Sequence, residues 1–495
     1  MTYQRTPRTA ILALAVLIGG QTVWGQRSQP NQPARAESVD EPAASRPQPQ
    51  GPPPVGPTFL NLRYDEDFSY LDGAPESYTA DVFDPIKNAH LAEHWRLTLG
   101  GEFRYRLEAE TNQAFGATEP AQDTFHLFRY TLHADMKYRD SFRVFVQGLS
   151  AFDEDRDLAP RGSDENKGDL QQLFFDLRVR GDDLPLTLRL GRQELQYGAE
   201  RFVSPFDWAD VRRRFDGIKL FVHGDAWNVD LWYAKPVVVQ AKRRDRLDED
   251  YDFYGCYVTY KQIPRHVLDV YILAQHNTGN PTNVNGRAGD FTRYTLGSRF
   301  RGKTAGFDYE TEWAGQWGHW ARDSIQAWAW AVDGGYTFDE ASWSPRVGLG
   351  FDWATGDDDP ADGTVGTFDQ LFPLGHQYLG FLDLVGRQNV AAVNVSLTAR
   401  PIAKKVTSRL AFYSFWLSEN EDALYNAGGA AVRRDPSGRS GHDVGHELDW
   451  TIVWTIDVHQ SVLFGYSHFW DGGFIQETSF SENADLLYVQ YAYKF

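Results

Sequence analysis

The sequence predicts an all-β protein, a transmembrane antiparallel up-and-down β-barrel of about 18 strands. Three observations support that class. Segments of roughly ten residues alternate apolar and polar side chains along most of the chain. Aromatic residues are over-used, at 15%, from 16 Trp, 24 Tyr and 32 Phe. The face opposite the aromatic one carries charge, which a packed soluble core would not tolerate but a water-filled lumen would. A soluble sandwich or propeller also alternates, but leaves that charged inner face unexplained.

Length and charge bound the remaining classes. A 495-residue chain would ordinarily hold about three soluble domains, but the alternation continues without a break into a second pattern. Mean hydropathy is −0.50, and the aromatic content rules out a largely disordered chain. The formal charge of −19 argues against a nucleic-acid partner, which needs a basic footprint. The single cysteine, Cys256, excludes an intramolecular disulfide framework, a CxxC redox pair and a Cys-rich zinc site.

Residues 1–25 read as a secretory signal peptide. Arg5 and Arg8 precede the apolar run AILALAVLIGG, and small residues occupy the positions a signal peptidase reads, ending at Gly25. The run is shorter than the roughly 20 residues of a spanning helix. Residues 26–57 form a Pro-, Gln- and Ser-rich linker (QPQGPPPVGP), too poor in apolar surface to fold alone. Residues 58–94 (LRYDEDFSYL, DVFDPIKNAHL) show no clean period and read as an extension packed on the main body. Export in this form predicts the outer membrane of a Gram-negative-type bacterium, with lipid as a partner.

The barrel is expected over 95–495. Strands are expected near 95–110, 124–139, 142–152, 169–180, 186–197, 215–223, 227–238, 252–262, 266–276, 291–302, 306–317, 325–338, 344–355, 389–400, 406–418, 446–457, 460–471 and 485–495. In the first, Trp95, Leu97, Leu99, Phe103, Tyr105 and Leu107 share one face, while Arg96, Glu102, Arg104, Arg106 and Glu108 share the other. The last alternates Leu487, Val489, Tyr491, Tyr493 and Phe495. It resembles the terminal strand of bacterial outer-membrane proteins, which implies the barrel-assembly machinery as a partner. Long acidic connections (DEDRD at 153–157, GDDDPAD at 356–362) fit extracellular loops and carry much of the negative charge.

Residues 188–220 read LRLGRQELQYGAERFVSPFDWADVRRRFDGIKL. This block resembles the alginate export family of outer-membrane porins. The stretch WATGDDDPADGTVGTFDQLFPLGHQYLG at 353–380 is similar to the family's second recurring block, and LRYDEDFSYL, DVFDPIK and WRLTLGGEFRYR are similar to its opening segment. Three blocks in the same order span the mature body. The resemblance implies an eighteen-stranded barrel, in agreement with the strand count, and passive passage of a solute.

A conduit for a uronate polymer needs cations spread along its path. Arginine suits it, because a planar fork holds carboxylates and stays charged, and Arg outnumbers Lys 38 to 11. By alternation the inward cations include Arg96, Arg104, Arg106, Arg129, Lys137, Arg178, Arg189, Arg293, Arg299, Arg346 and Arg409. Arg192, Arg201, Arg213 and Lys219, around the family block, are further candidates. For each, a structural ion pair is the equal alternative, with Glu102, Asp176, Asp308, Glu310, Asp352 or Asp449 as the inward acid; Glu312 and Glu447 should face inward too. A basic constriction is expected on the wall built by 95–220.

No cofactor is expected. Asp357, Asp358 and Asp359 are weak Ca2+ candidates, since clustered carboxylates are hard ligands, but they lack EF-hand spacing and read more simply as a solvated or mouth-folding loop. His442 and His446 lack the zincin order. No P-loop, GxSxG or dinucleotide fingerprint occurs, so an enzyme is not expected. A rim hydrolase would need a nucleophile beside His319, His376, His442 or His468, and no motif supplies one. The leading function is a passive channel for an anionic polysaccharide, alginate-like, or its fragments. The alternatives are a general small-solute porin and a plugged structural barrel. Direction of transport and periplasmic partners are not written in the residues.

Overall fold

A computed structural model describes residues 56–74, 78–179 and 185–495. The expected signal peptide and nearly all of the expected linker lie outside these residues. Eighteen long strands run in chain order: β1 Trp95–Thr111, β2 Gln122–Tyr138, β3 Phe142–Glu154, β4 Asn166–Val179, β5 Leu186–Gln193, β6 Phe215–His223, β7 Trp227–Val238, β8 Tyr251–Tyr260 and β9 His266–Asn277. The second half continues with β10 Phe291–Thr304, β11 Phe307–Trp320, β12 Asp323–Thr337, β13 Arg346–Ala354, β14 Val390–Ile402, β15 Val406–Trp416, β16 Asp443–Thr455, β17 Gln460–Asp471 and β18 Ala484–Lys494. Each pairs antiparallel with its neighbour in sequence, and β18 returns to β1 with Glu102 opposite Lys494 and Thr111 opposite Asp485. The sheet is closed and leaves no long edge unpaired. Among the described residues no helix is long and apolar enough to cross a membrane; the crossing elements are strands.

Side chains alternate across the wall as the sequence requires. On β11, Glu312 is buried while Trp313 and Trp317 are exposed; on β16, Glu447 and Asp449 are buried while Trp450 and Trp454 are exposed. The outer surface is thus a continuous apolar band in which rings pair across strands, as Tyr294 does with Trp317. Both termini of the barrel lie at one end, here called the terminal end, where the connections are short: β10 and β11 are joined by two residues. Long connections gather at the far end. In outer-membrane barrels short turns are periplasmic and long loops extracellular.

The interior is not an empty tube. Residues 194–214, between β5 and β6, and residues 366–389, between β13 and β14, fold inward. Leu195, Phe202 and Val203 from the first, and Phe368, Leu379, Leu384 and Val385 from the second, pack with Phe215, Trp232, Tyr257 and Tyr271 of the wall in one buried apolar cluster. These loops carry large apolar side chains because they are covered on all sides; a solvated extracellular loop would gain nothing from them.

The segment at 59–66 enters from the terminal end. Its 3-10 turn Arg63–Asp65 places the Tyr64 ring edge-on to Phe145 and Phe174 of the inner wall, at 5.8 and 5.2 Å between centroids. The extension then leaves the lumen, and Ala89–Ala92 pairs with the start of β1.

Candidate lumenal site of an outer-membrane channel

The inward residues of β1 to β5 face the inward loop 194–214, and arginines of the wall hold it there. Arg104 donates to the carbonyls of Asp207, Trp208 and Ala209 at 2.6, 3.0 and 2.8 Å and to the Asp210 carboxylate at 2.8 Å. Arg106 reaches Asp210 at 3.4 Å and Glu108 at 2.7 Å, with its guanidinium 4.0 Å from the centre of the Trp208 ring. Arg129 bridges Glu102 (2.5 Å) and Asp207 (2.8 Å). From the loop itself, Arg212 returns to Glu194 at 2.7 Å and also pairs with Asp207. Burial alone would raise the carboxyl groups of Asp207 and Asp210, but Arg129, Arg212 and Arg104 hold Asp207 well below its usual range. Arg104 and Arg106 lower Asp210 as well. Burial pulls the Arg213 guanidinium down to about 10; it donates to the carbonyls of Ser204 (3.0 Å) and Pro373 (3.3 Å), so tying one inward loop to the other.

The remaining expected cations are also largely paired. Arg189 is bidentate with Asp176 at 2.7 and 2.9 Å, and Lys219 meets Asp230 at 2.7 Å. Arg201, on the inward loop, pairs with Glu310 and Glu312 of β11. Arg293 pairs with Asp369 of the second loop at 3.0 Å, and Arg299 with Asp269 and Glu310. Asp352 is engaged by Arg387 at 2.7 Å. Arg96 and Lys137 lie at the terminal mouth beside Asp72 and Asp135, at 3.0 and 3.3 Å, and Arg178 is exposed there.

Arg192 departs from the expectation. It has the parity of Leu188 and Leu190, the outward series, and is bidentate with Asp216 on β6 at 2.7 and 3.0 Å. Arg192 lies within the strand Leu186–Gln193, where alternation from the inward Arg189 already puts it on the other face; it was a candidate through the family block and not through parity.

The wall from β12 to β15 is different. Inward positions there are small: Gly335, Gly348, Ser396 and Thr398. A Cβ on Gly335 would meet the Arg346 guanidinium carbon at 2.4 Å, and one on Gly348 would meet its Nη1 at 2.5 Å. Arg346 therefore lies flat in a notch made by absent side chains, held by Asp308 (2.5 Å) and Asp333 (3.4 Å). Arg409, on β15, donates to the Tyr413 hydroxyl at 3.3 Å, and among the described residues it has no carboxylate within ion-pair distance. On the adjoining strand β16, Asp449 and Glu447 accept from the amide groups of Phe381 and Leu382 at 3.3 and 3.0 Å, latching the second loop.

Asp357 is buried, accepting from the amide of Gly366 at 3.0 Å, and its own amide donates to Asp422 at 2.9 Å. Asp358 and Asp359 are exposed. Among the described residues no group of three or more His, Cys, Asp or Glu is arranged to hold a metal ion.

The family profile described as alginate export matches residues 95–488. The chain belongs to the alginate export family. Solved structures give the same architecture for this family member. Pseudomonas aeruginosa OccD3 (OpdP) is similar at TM-score 0.53 and 10% identity, over 81% of this chain and 91% of that one. P. aeruginosa OpdQ is similar at 0.53 and 12%, over 81% and 98%. Acinetobacter baumannii OccAB2 is similar at 0.53 and 9%, over 80% and 98%. At these identities the likeness concerns the fold. No curated protein matches the chain. Family and fold together make this alginate export family member an outer-membrane channel of the porin type and not an enzyme.

Sequence reasoning missed the inward partners Asp207, Asp210, Arg212, Glu194, Asp369 and Arg387, because period-two patterning carries no information about loops. A signal was present: FVSPFDW at 202–208 and FDQLFPLGHQYLGFLDLV at 368–385 are too apolar and aromatic for water-facing connections. Arg301, another inward residue of β10 by its parity with Arg299, was also passed over.

Proposed function

We propose that the channel passes an anionic polysaccharide, alginate-like, or fragments of one, along the wall built by β12 to β15. Arg409 carries this reading. It is a lumenal guanidinium with no carboxylate within ion-pair distance among the described residues, Asp333 and Asp449 acting on it only from farther off, on a wall whose inward positions are small. A uronate polymer offers one carboxylate per sugar, and an arginine that is not locked in a close ion pair can take each in turn and release it. The arginines of the 95–220 wall have a different part in this proposal, since they hold the inward loop. The expected basic constriction therefore moves to the opposite half of the sequence.

The test is planar-bilayer current with oligouronates added to one side. Transient blocks should shorten and become rarer in Arg409→Glu and persist in Arg409→Lys. Blocks that are identical in Arg409→Glu would overturn the assignment. A general small-solute porin is the second reading, supported by the neutralisation of most lumenal arginines by wall and loop acids. It predicts that neutral and anionic oligosaccharides of equal length block alike.

A further inference from the structure

We infer that residues 59–66 are a removable internal plug, an autoinhibitory segment that closes the terminal end of the channel against the inward loop. Asn61 stands at the meeting point. Its side-chain and main-chain oxygens accept from Arg212 at 2.7 and 3.0 Å, and its amide donates to Gln196 at 3.2 Å. The Tyr64 hydroxyl donates to the Glu194 carbonyl at 3.1 Å, and the Tyr64 carbonyl accepts from Arg143. Two segments from opposite ends of the barrel thus touch in mid-lumen, and together they cover the inner surface of β1 to β5. Asn61 and Tyr64 are only 6% and 5% exposed.

The manner of attachment distinguishes this segment from the loop it touches. Loop 194–214 is anchored by a strand at each end and by buried ion pairs. Residues 59–66 have no ladder pairing with the wall; among its described residues the extension joins the sheet only at Ala89–Ala92. They are held by side-chain bonds, among them Arg63 to the carbonyls of Gly101 and Phe495, and by the Tyr64 ring in an aromatic pocket. Segments with little ladder bonding open at lower free energy than the sheet around them. When this one leaves, the guanidinium groups of Arg212 and Arg143 each lose an acceptor, so the newly opened space is lined by N–H donors suited to an anion. An anionic solute and the plug would then compete for the same groups.

This inference rests on the channel assignment and not on the identity of the solute, so its test uses ionic current in salt alone. Single-channel recordings would compare the full chain with Asn61→Ala/Tyr64→Ala and with a variant lacking residues 59–66. Each would be checked for a folded barrel by heat-dependent gel mobility. The expected result is a several-fold rise in mean current in both variants, reversed by a synthetic peptide of residues 58–70 added on the terminal side. Unchanged current in folded variants, or an opened variant that the peptide leaves untouched, would overturn the plug. Should both variants fail to fold, Tyr64→Cys in a Cys256→Ser background takes their place. Modification by a bulky impermeant thiol reagent should hold the channel in its high-current state, and a current insensitive to labelling would refute the inference. Uronate block through Arg409 stands or falls separately.

Discussion

Replacing Arg129 by Met removes a cation while keeping most of its volume, and the structure says where the loss falls. Arg129 is 1% exposed and binds Glu102, the Asp207 carboxylate, and the carbonyls of Asp207 and Ala209. Breaking a buried pair from one side costs roughly 3–5 kcal/mol, chiefly because a charge is stranded. Here the two acids differ. The Asp207 side chain is 32% exposed and keeps Arg212, so it can rehydrate, whereas Glu102 is 8% exposed. The lower limit therefore applies, about 3 kcal/mol, or about a hundredfold in an opening equilibrium. Because the closed sheet is held by its own ladder, the cost should appear as local opening of residues 199–214. Amide hydrogen exchange followed by mass spectrometry should show those peptides exchanging about a hundredfold faster, with β2 and β3 unchanged. Equal protection of the loop in both proteins would refute the view that the 95–220 arginines serve as its anchors. A uniform loss of protection across the barrel would show that Arg129 stabilises the wall instead.

Three further outcomes follow from the same contacts. Asp207 and Asp210 have lowered folded-state pKa values, so the stability they confer is present above the ordinary carboxyl range and is lost as pH falls through the lowered values. Trp208 fluorescence should report loosening of the loop only under strong acid, and a transition near neutrality would contradict this. Gly191 sits at φ +128°, and a Cβ there would lie 2.2 Å from the Leu173 carbonyl. Gly191→Ala should thus lower the denaturation midpoint of the detergent-solubilised barrel, while Gly148→Ala, whose Cβ meets nothing nearer than 3.9 Å, should leave it unchanged. Removal of Phe495 takes away a ring stacked on Phe83 at 5.0 Å and two backbone bonds to Gly101. The amount of folded barrel in the outer membrane should drop sharply, and a normal yield would argue against an assembly role for the terminal residue.

The wall was legible in the residues because one constraint acts on every position of a strand. A side chain faces either lipid or lumen, and Leu448, Trp450 and Ile452 against Glu447, Asp449 and Thr451 display the choice directly. Strand limits followed within a few residues, except that β5 ends at Gln193 and not at 197, where the chain turns into the lumen. The partners of the lumenal arginines were not legible. Asp207 and Asp210 act at a distance of about a hundred positions from Arg104 and Arg106, through a loop whose path is set by packing and not by periodicity. Arg409 shows the opposite case. Its inward direction was readable, but that Asp333 of β12 and Asp449 of β16 stop short of ion-pair distance from it depends on how the strands sit.

One contact links the chain's extremes. Arg63 donates to the carbonyl of Gly101 at 3.0 Å and to that of Phe495 at 2.9 Å, while Phe495 and Gly101 exchange backbone hydrogen bonds. The docking place of Arg63 therefore exists only after the last residue has met the first strand. Residue 63 emerges early in synthesis, yet it cannot settle until the cylinder has shut. Of the arm's contacts, the Tyr64 ring on Phe145 and Phe174 is available before closure, whereas the Arg63 bond to Phe495 is complete only in a shut cylinder.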